Sequence, residues 1–277
     1  MNFLQAIFLG IVQGIAEFLP ISSSGHLAIF QNLFHMSGVG EVDLFFDVLL
    51  HFGTLFSVLI VYWADIKSIV LEFFTLIRLR KLPEGTEADL SARKMILFII
   101  VGTLPLFIGL LFKDSVEKLY NNMFFIAFAL ILTGTFLFFS DRFKRGNKNI
   151  RNATLGDALF VGFGQMLALV PGLSRSGTTI SSGLIRGFER TFAVKFSFLL
   201  SIPAILGASL LELIDVLATG IEWANVPYYL AGMVTAGVCG YFAIRLLNKL
   251  AKSNRFGAFS YYCWGAGLVT IFLALIA

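Results

Sequence analysis

AIFLGIVQGIAEFLPISSSGH, residues 6–26, begins as a membrane helix and then breaks into a carboxylate, a proline, three serines and a histidine. Polar groups inside an apolar segment need partners, because hydrocarbon offers none. A shift of 152 residues lays this stretch on ALFVGFGQMLALVPGLSRSGT, residues 158–178. Ala6 then matches Ala158, Gly10 matches Gly162, Gln13 matches Gln165 and Ala16 matches Ala168. Ser22, Ser24 and Gly25 match Ser174, Ser176 and Gly177, while Pro20 and Pro171 fall one position out of step. Apolar bias inflates such agreement, but the shared Gln and Ser-x-Ser-Gly are polar. NNMFF at 121–125 and SNRFG at 253–257 give a weaker echo. The chain reads as an internal repeat.

The solvent of that repeat is lipid. Of 277 residues 57% are hydrophobic and 14% charged, and the mean hydropathy of +0.85 lies outside the range of ordinary water-soluble domains. Apolar runs near 45–63, 95–112, 123–140, 196–216, 226–244 and 257–277 are each long enough to cross, or nearly cross, a hydrocarbon core of about 30 Å. The N-terminus has no basic region and no small-residue cleavage site before its polar stretch, so it reads as retained rather than as a signal peptide. Cys239 and Cys263 lie far apart in apolar or aromatic segments and read as small buried hydrophobes rather than metal ligands or a disulfide. The net charge of +4 belongs to loops, not to a nucleic-acid surface.

Those loops set the topology. Lys67, Arg78, Arg80, Lys81, Arg93 and Lys94 share one connection, Arg142, Lys144, Arg145, Lys148 and Arg151 a second, Arg186, Arg190 and Lys195 a third, and Arg245, Lys249, Lys252 and Arg255 a fourth. Positive charge places all four in the cytoplasm. KDSVEK at 113–118 and ATGIEWANV at 218–226 belong outside. The segment 156–190 must therefore enter from the cytoplasm and return, and each of its halves is too short to span twice. The expected fold is an all-α polytopic integral membrane protein with an inverted-topology repeat, whose two re-entrant helical hairpins meet near the midplane. Residues 1–140 form the first repeat, with its hairpin at about 1–34 entering from outside. A basic cytoplasmic linker covers 141–155, and the second repeat covers 156–277, with its hairpin at about 156–190.

This arrangement brings Glu17, Ser22, Ser23, Ser24 and His26 against Ser174, Arg175, Ser176, Thr178 and Thr179. Arg175 stays charged, and a guanidinium in the membrane needs an anion. An ion pair to Glu17 supplies one. It leaves the hydroxyls and His26 without a purpose, whereas a phosphate held by Arg175, serines, Gly177 and a helix N-terminus uses them. Gln13 and Glu17 share a helix face and can both reach a cation. His26, at a helix start, has the chemistry of a nucleophile or a general acid. His51 reads as a neutral core histidine, and His35 likewise with interfacial exposure.

QGIAEFLPISSSGH together with PGLSRSGTT resembles the undecaprenyl-diphosphate phosphatase family, also called bacitracin-resistance proteins, over essentially the whole chain. The resemblance implies cleavage of a lipid carrier diphosphate, with a divalent cation, Mg²⁺ or Ca²⁺, on the outer side of a bacterial cytoplasmic membrane. Its acidic motif falls on Gln13 and Glu17, its serine and histidine on Ser23 and His26, and its arginine motif on Ser174, Arg175, Ser176 and Thr178. Gln13 is the less acidic variant, which puts in doubt a mechanism needing two carboxylates. The expected catalytic set is Glu17, Ser23, His26 and Arg175, with His26 as first choice of nucleophile and Ser23 or water as competitors. Ser22, Ser24, Ser174, Ser176, Gly177 and Thr178 are expected to bind phosphate, and Glu17, with Gln13, to hold the cation. The implied partners are the polyprenyl diphosphate and membrane lipids, without nucleic acid; a homodimer is compatible. The type-2 phosphatidate phosphatase signature fails, because Ser181 stands where it needs a histidine. A transporter or flippase for an anion or lipid phosphate is the alternative of another class.

Overall fold

The computed structural model describes residues 2–33, 44–79, 81, 87–142, 146–220, 222–253 and 256–276. His35 and the basic residues Arg80, Lys144, Arg145 and Arg255 lie outside them. The described chain is helical: α1 Phe3–Phe18, α2 Ser23–Leu33, α3 Leu44–Val61, α4 Trp63–Leu76, α5 Leu90–Leu110, the short α6 Lys113–Glu117, α7 Met123–Arg142, α8 Leu155–Leu167, α9 Arg175–Ile185, α10 Arg190–Thr219, α11 Val226–Ser253 and α12 Gly257–Ile276.

Among the described residues six helices, α3, α5, α7, α10, α11 and α12, are long and apolar enough to cross a membrane, so the chain is a multi-pass membrane protein. They coincide with the six apolar runs, although α10 and α11 extend well beyond theirs. By contrast α1, at 16 residues, and α8, at 13, reach only about 24 and 20 Å. Each is followed by a turn and an 11-residue helix, α2 or α9.

The two helix-turn-helix units start alike. Asn2 caps α1 in a capping box with Gln5, and Thr154 caps α8 in a capping box with Asp157, 152 residues later. They also end alike, since α2 and α9 begin at Ser23 and Arg175 and finish at Leu33 and Ile185, both pairs 152 apart. Packing follows the same spacing. Gly10 of α1 lies against the Gly232 carbonyl of α11, and Gly162 of α8 against the Gly102 carbonyl of α5. A methyl at either glycine would sit under 3.0 Å from that oxygen, so only glycine permits the close backbone approach that membrane helices use in place of hydrophobic drive. Each short helix thereby docks on a long helix of the other half of the chain.

The rest of the bundle is closed by α7 packing along α12 and by α3 packing on α10 and α11. Phe18 ends α1 fully buried, edge-on to Phe198 of α10 with ring centroids 5.4 Å apart. At the end of the bundle where the basic connections gather, Asp157 is fully buried and accepts from Lys148 and Arg186, while Asp141 pairs with Arg190 and accepts from the Gly257 amide. These carboxylates tie loops to helix ends.

Candidate active site

The turn after α1 is built by Pro20, which cannot continue a helix, and by Ser22, whose φ of +73° is uncommon for a residue with a Cβ. Ser22 keeps that conformation because its oxygens are used. Its Oγ accepts from the Gly25 amide at 3.2 Å, and its carbonyl accepts from the His26 amide and from His26 Nδ1 at 2.7 Å. The turn after α8 repeats the device. Ser174 Oγ accepts from the Gly177 amide at 3.1 Å, and its carbonyl accepts from the Thr178 amide and from Thr178 Oγ1 at 3.0 Å.

The two turns touch. Ser24 Oγ accepts from the Gly172 amide at 3.3 Å, and Ser176 Oγ donates to the Leu19 carbonyl at 3.2 Å. Gly25 makes room, since a methyl there would meet the Gly172 Cα at 3.2 Å. At this junction Glu17, 7% exposed, gathers three donors. Arg175 Nη2 donates to its Oε1 at 2.5 Å, Ser23 Oγ to its Oε2 at 2.7 Å, and Gln13 Nε2 to the same Oε2 at 3.2 Å. The carboxylate and the guanidinium, 158 residues apart, form a partly buried ion pair of the kind a low-dielectric setting demands.

Two atoms of this group have no partner among the described residues, namely Arg175 Nη1 and Gln13 Oε1, both buried. One is a fixed cationic donor and the other a hard oxygen acceptor. Glu17 therefore occupies one nitrogen of Arg175, and Nη1 can take a phosphoryl oxygen. Gln13 Oε1 beside Glu17 suits an oxygen-seeking cation, while no cluster of three His, Cys, Asp or Glu occurs among the described residues. A divalent ion fits here only as one shared with phosphate oxygens and water.

The expected site residues thus divide into two groups. Gln13, Glu17, Ser23 and Arg175 meet directly. Ser22, Ser24, Ser174, Ser176, Gly177 and Thr178 stand around them, but in this arrangement their polar groups are spent on caps and turn-to-turn bonds. His26, 7% exposed, makes no hydrogen bond to Glu17, Ser23 or Arg175; its Nε2 lies 2.8 Å from the Tyr262 hydroxyl of α12.

Sequence reasoning missed Tyr262, and Thr133 of α7, whose Oγ1 accepts from the Ser174 amide at 3.1 Å and donates to the Gly172 carbonyl at 3.3 Å. A hydroxyl in an apolar helix carries no positional signal until the helices are packed. His51 has its Nδ1 satisfied by the Asp47 carbonyl at 2.9 Å. Cys263 is fully buried as expected, with its Sγ 3.5 Å from the Pro20 carbonyl.

Comparison with known proteins covers the whole of this arrangement. A family model described as bacitracin resistance protein BacA matches residues 6–269. An undecaprenyl-diphosphatase of Alkaliphilus metalliredigens is 45% identical, with both chains covered completely. Those of Halothermothrix orenii and Methanobrevibacter smithii are 40% and 42% identical, over 99% and 97% of this chain and 99% and 96% of their own.

Proposed function

This chain belongs to the BacA family of bacitracin resistance proteins, and from that premise we propose that it hydrolyses undecaprenyl diphosphate to undecaprenyl phosphate and inorganic phosphate. It is a membrane hydrolase that recycles the lipid carrier of cell-wall synthesis and so confers resistance to bacitracin. One observation carries the chemistry: a Ser23 hydroxyl bonded to the Glu17 carboxylate, beside an arginine with a buried nitrogen to spare. Nucleophile, base and oxyanion clamp share one junction.

In the mechanism this geometry favours, the terminal phosphoryl group enters against Arg175, and Nη1 takes one of its oxygens. Ser23 Oγ attacks phosphorus as its proton passes to Glu17 Oε2, and the bond to the bridging oxygen breaks to release undecaprenyl phosphate. Neutralising Glu17 frees Arg175 Nη2 for the charge that develops on the phosphoryl oxygens. Water then attacks the Ser23 ester, giving its proton to His26 Nε2, while the proton on Glu17 returns to Ser23 Oγ as the P–O bond breaks; His26 passes its proton to the departing phosphate and is neutral again. The Ser22, Ser174 and Ser176 bonds keep both turns in register. The Glu17 bond of Ser23 moves that serine ahead of His26 as nucleophile.

Gln13 and Glu17 are the residues that would hold a Mg²⁺ or Ca²⁺ ion, which when bound neutralises diphosphate charge. We read the two helix-turn-helix units as an inverted repeat of re-entrant hairpins, 1–140 and 156–277 about a basic linker. The matched caps, helix limits and glycine contacts support it. Loop charge supports entry of the first hairpin from the outer side of the cytoplasmic membrane, where the site would open. Purified protein in detergent, given a long-chain polyprenyl diphosphate with and without chelator, should release phosphate only when divalent ions are present. No release with any divalent ion would favour an inverted-repeat transporter instead.

A further inference from the structure

We propose that Tyr262 is a positioning residue for His26, which it holds as the Nδ1–H tautomer with the Nε2 lone pair bound until substrate arrives. The proposal rests on the phosphatase assignment above and adds the residue that readies its histidine.

The tautomer follows from the partners. The Ser22 carbonyl can only accept, so His26 Nδ1, 2.7 Å away, carries a hydrogen. The ring is nearly buried and bonded to a carbonyl and a phenol rather than to a carboxylate, and in that setting it is neutral. Its lone pair then sits on Nε2, and the Tyr262 hydroxyl at 2.8 Å donates to it. The two rings lie nearly parallel, 13° apart, with centroids separated by 5.7 Å. Imidazole orientation is thus fixed at both nitrogens.

A second contact shows that α12 is shaped for this turn. Cys263, the next residue, is fully buried with its Sγ 3.5 Å from the Pro20 carbonyl, so consecutive residues of the last helix clasp the two ends of 20–26. Tyr262 differs from Cys263 in being 48% exposed. A half-exposed phenol has room to turn away when a phosphoryl group and its water enter, freeing a lone pair already aimed and unprotonated. Without the hydroxyl, the ring loses the bond that orients its reactive nitrogen.

The test uses full-length protein in detergent, labelled with ¹⁵N-histidine, with the His26 signals assigned by their loss in His26→Gln. Wild type should show His26 protonated at Nδ1 with a hydrogen-bonded Nε2. Tyr262→Phe, which keeps the aromatic ring and removes the hydroxyl, should move the Nε2 resonance to that of an unbonded acceptor. It should also lower kcat about tenfold while leaving KM within about twofold. An unchanged His26 spectrum in Tyr262→Phe, or a changed spectrum with full kcat, overturns the proposal. A wild type with the expected spectrum that releases no phosphate would leave the Tyr262 bond standing and overturn the phosphatase assignment, and with it the role given to that bond.

Discussion

Ser23 and Arg175 occupy corresponding places in two turns 152 residues apart, and both hydrogen-bond the carboxylate of Glu17. The same hydrogen-bonded turn carries a neutral hydroxyl on one side and a permanent cation on the other. The corresponding place to Glu17 in the second unit is Leu169, so the carboxylate exists once. A site shared between similar halves has thereby become directional.

Arg175→Lys keeps the charge but loses the planar fork, so one ammonium must serve both Glu17 and the phosphoryl group. Turnover should fall at least about a hundredfold, while the variant still inserts and elutes as wild type from gel filtration. Steady-state phosphate release checks this, and a fully active lysine variant would remove the clamp.

Gln13→Glu supplies a second carboxylate where Gln13 Oε1 now stands without a partner. The divalent ion needed for half-maximal rate should fall about tenfold, since affinity for hard cations rises with ligand charge. A metal titration of the rate reads it out; no change would place the cation away from Gln13.

Much of this was legible in the sequence. The repeat register paired Ser22 with Ser174, and the lone arginine in an apolar setting announced its need for an anion. Tyr262 and Thr133 were not legible, because a hydroxyl among apolar residues gains a role only when α12 and α7 are laid against the turns. Nor could spacing tell that Ser176 and Thr178 would spend their hydroxyls on the Leu19 and Ser174 carbonyls. Caps are local in sequence. Turn-to-turn bonds are not.

Helix docking is testable at its closest points. Gly10→Ala and Gly162→Ala each push a methyl into a facing carbonyl, and overpacking of this kind costs about 1–3 kcal/mol. Both should lower the detergent melting temperature by several degrees. Gly207→Ala, with nothing within 4 Å of its new methyl, should leave it unchanged or raise it. Equal effects at all three positions would contradict the close approach of α1 to α11 and of α8 to α5.

Orientation is tested by single cysteines at Leu79, Lys118 and Asn152 in a background with Cys239 and Cys263 replaced by serine. An impermeant thiol reagent on intact cells should label position 118 and spare 79 and 152. Labelling at 152 but not 118 would invert the topology and place the first hairpin on the cytoplasmic side.

The most direct measurement is the chemical identity of the phosphorylated enzyme. Enzyme mixed with terminally labelled polyprenyl diphosphate and quenched within a turnover should carry labelled phosphate that survives acid, as a serine ester does, and that disappears with Ser23→Ala. Label that survives alkali but not acid and vanishes with His26→Ala would make the histidine the nucleophile. Absence of label after either quench, with inversion at a chiral phosphorus, would contradict covalent chemistry at the Glu17–Ser23–Arg175 junction altogether.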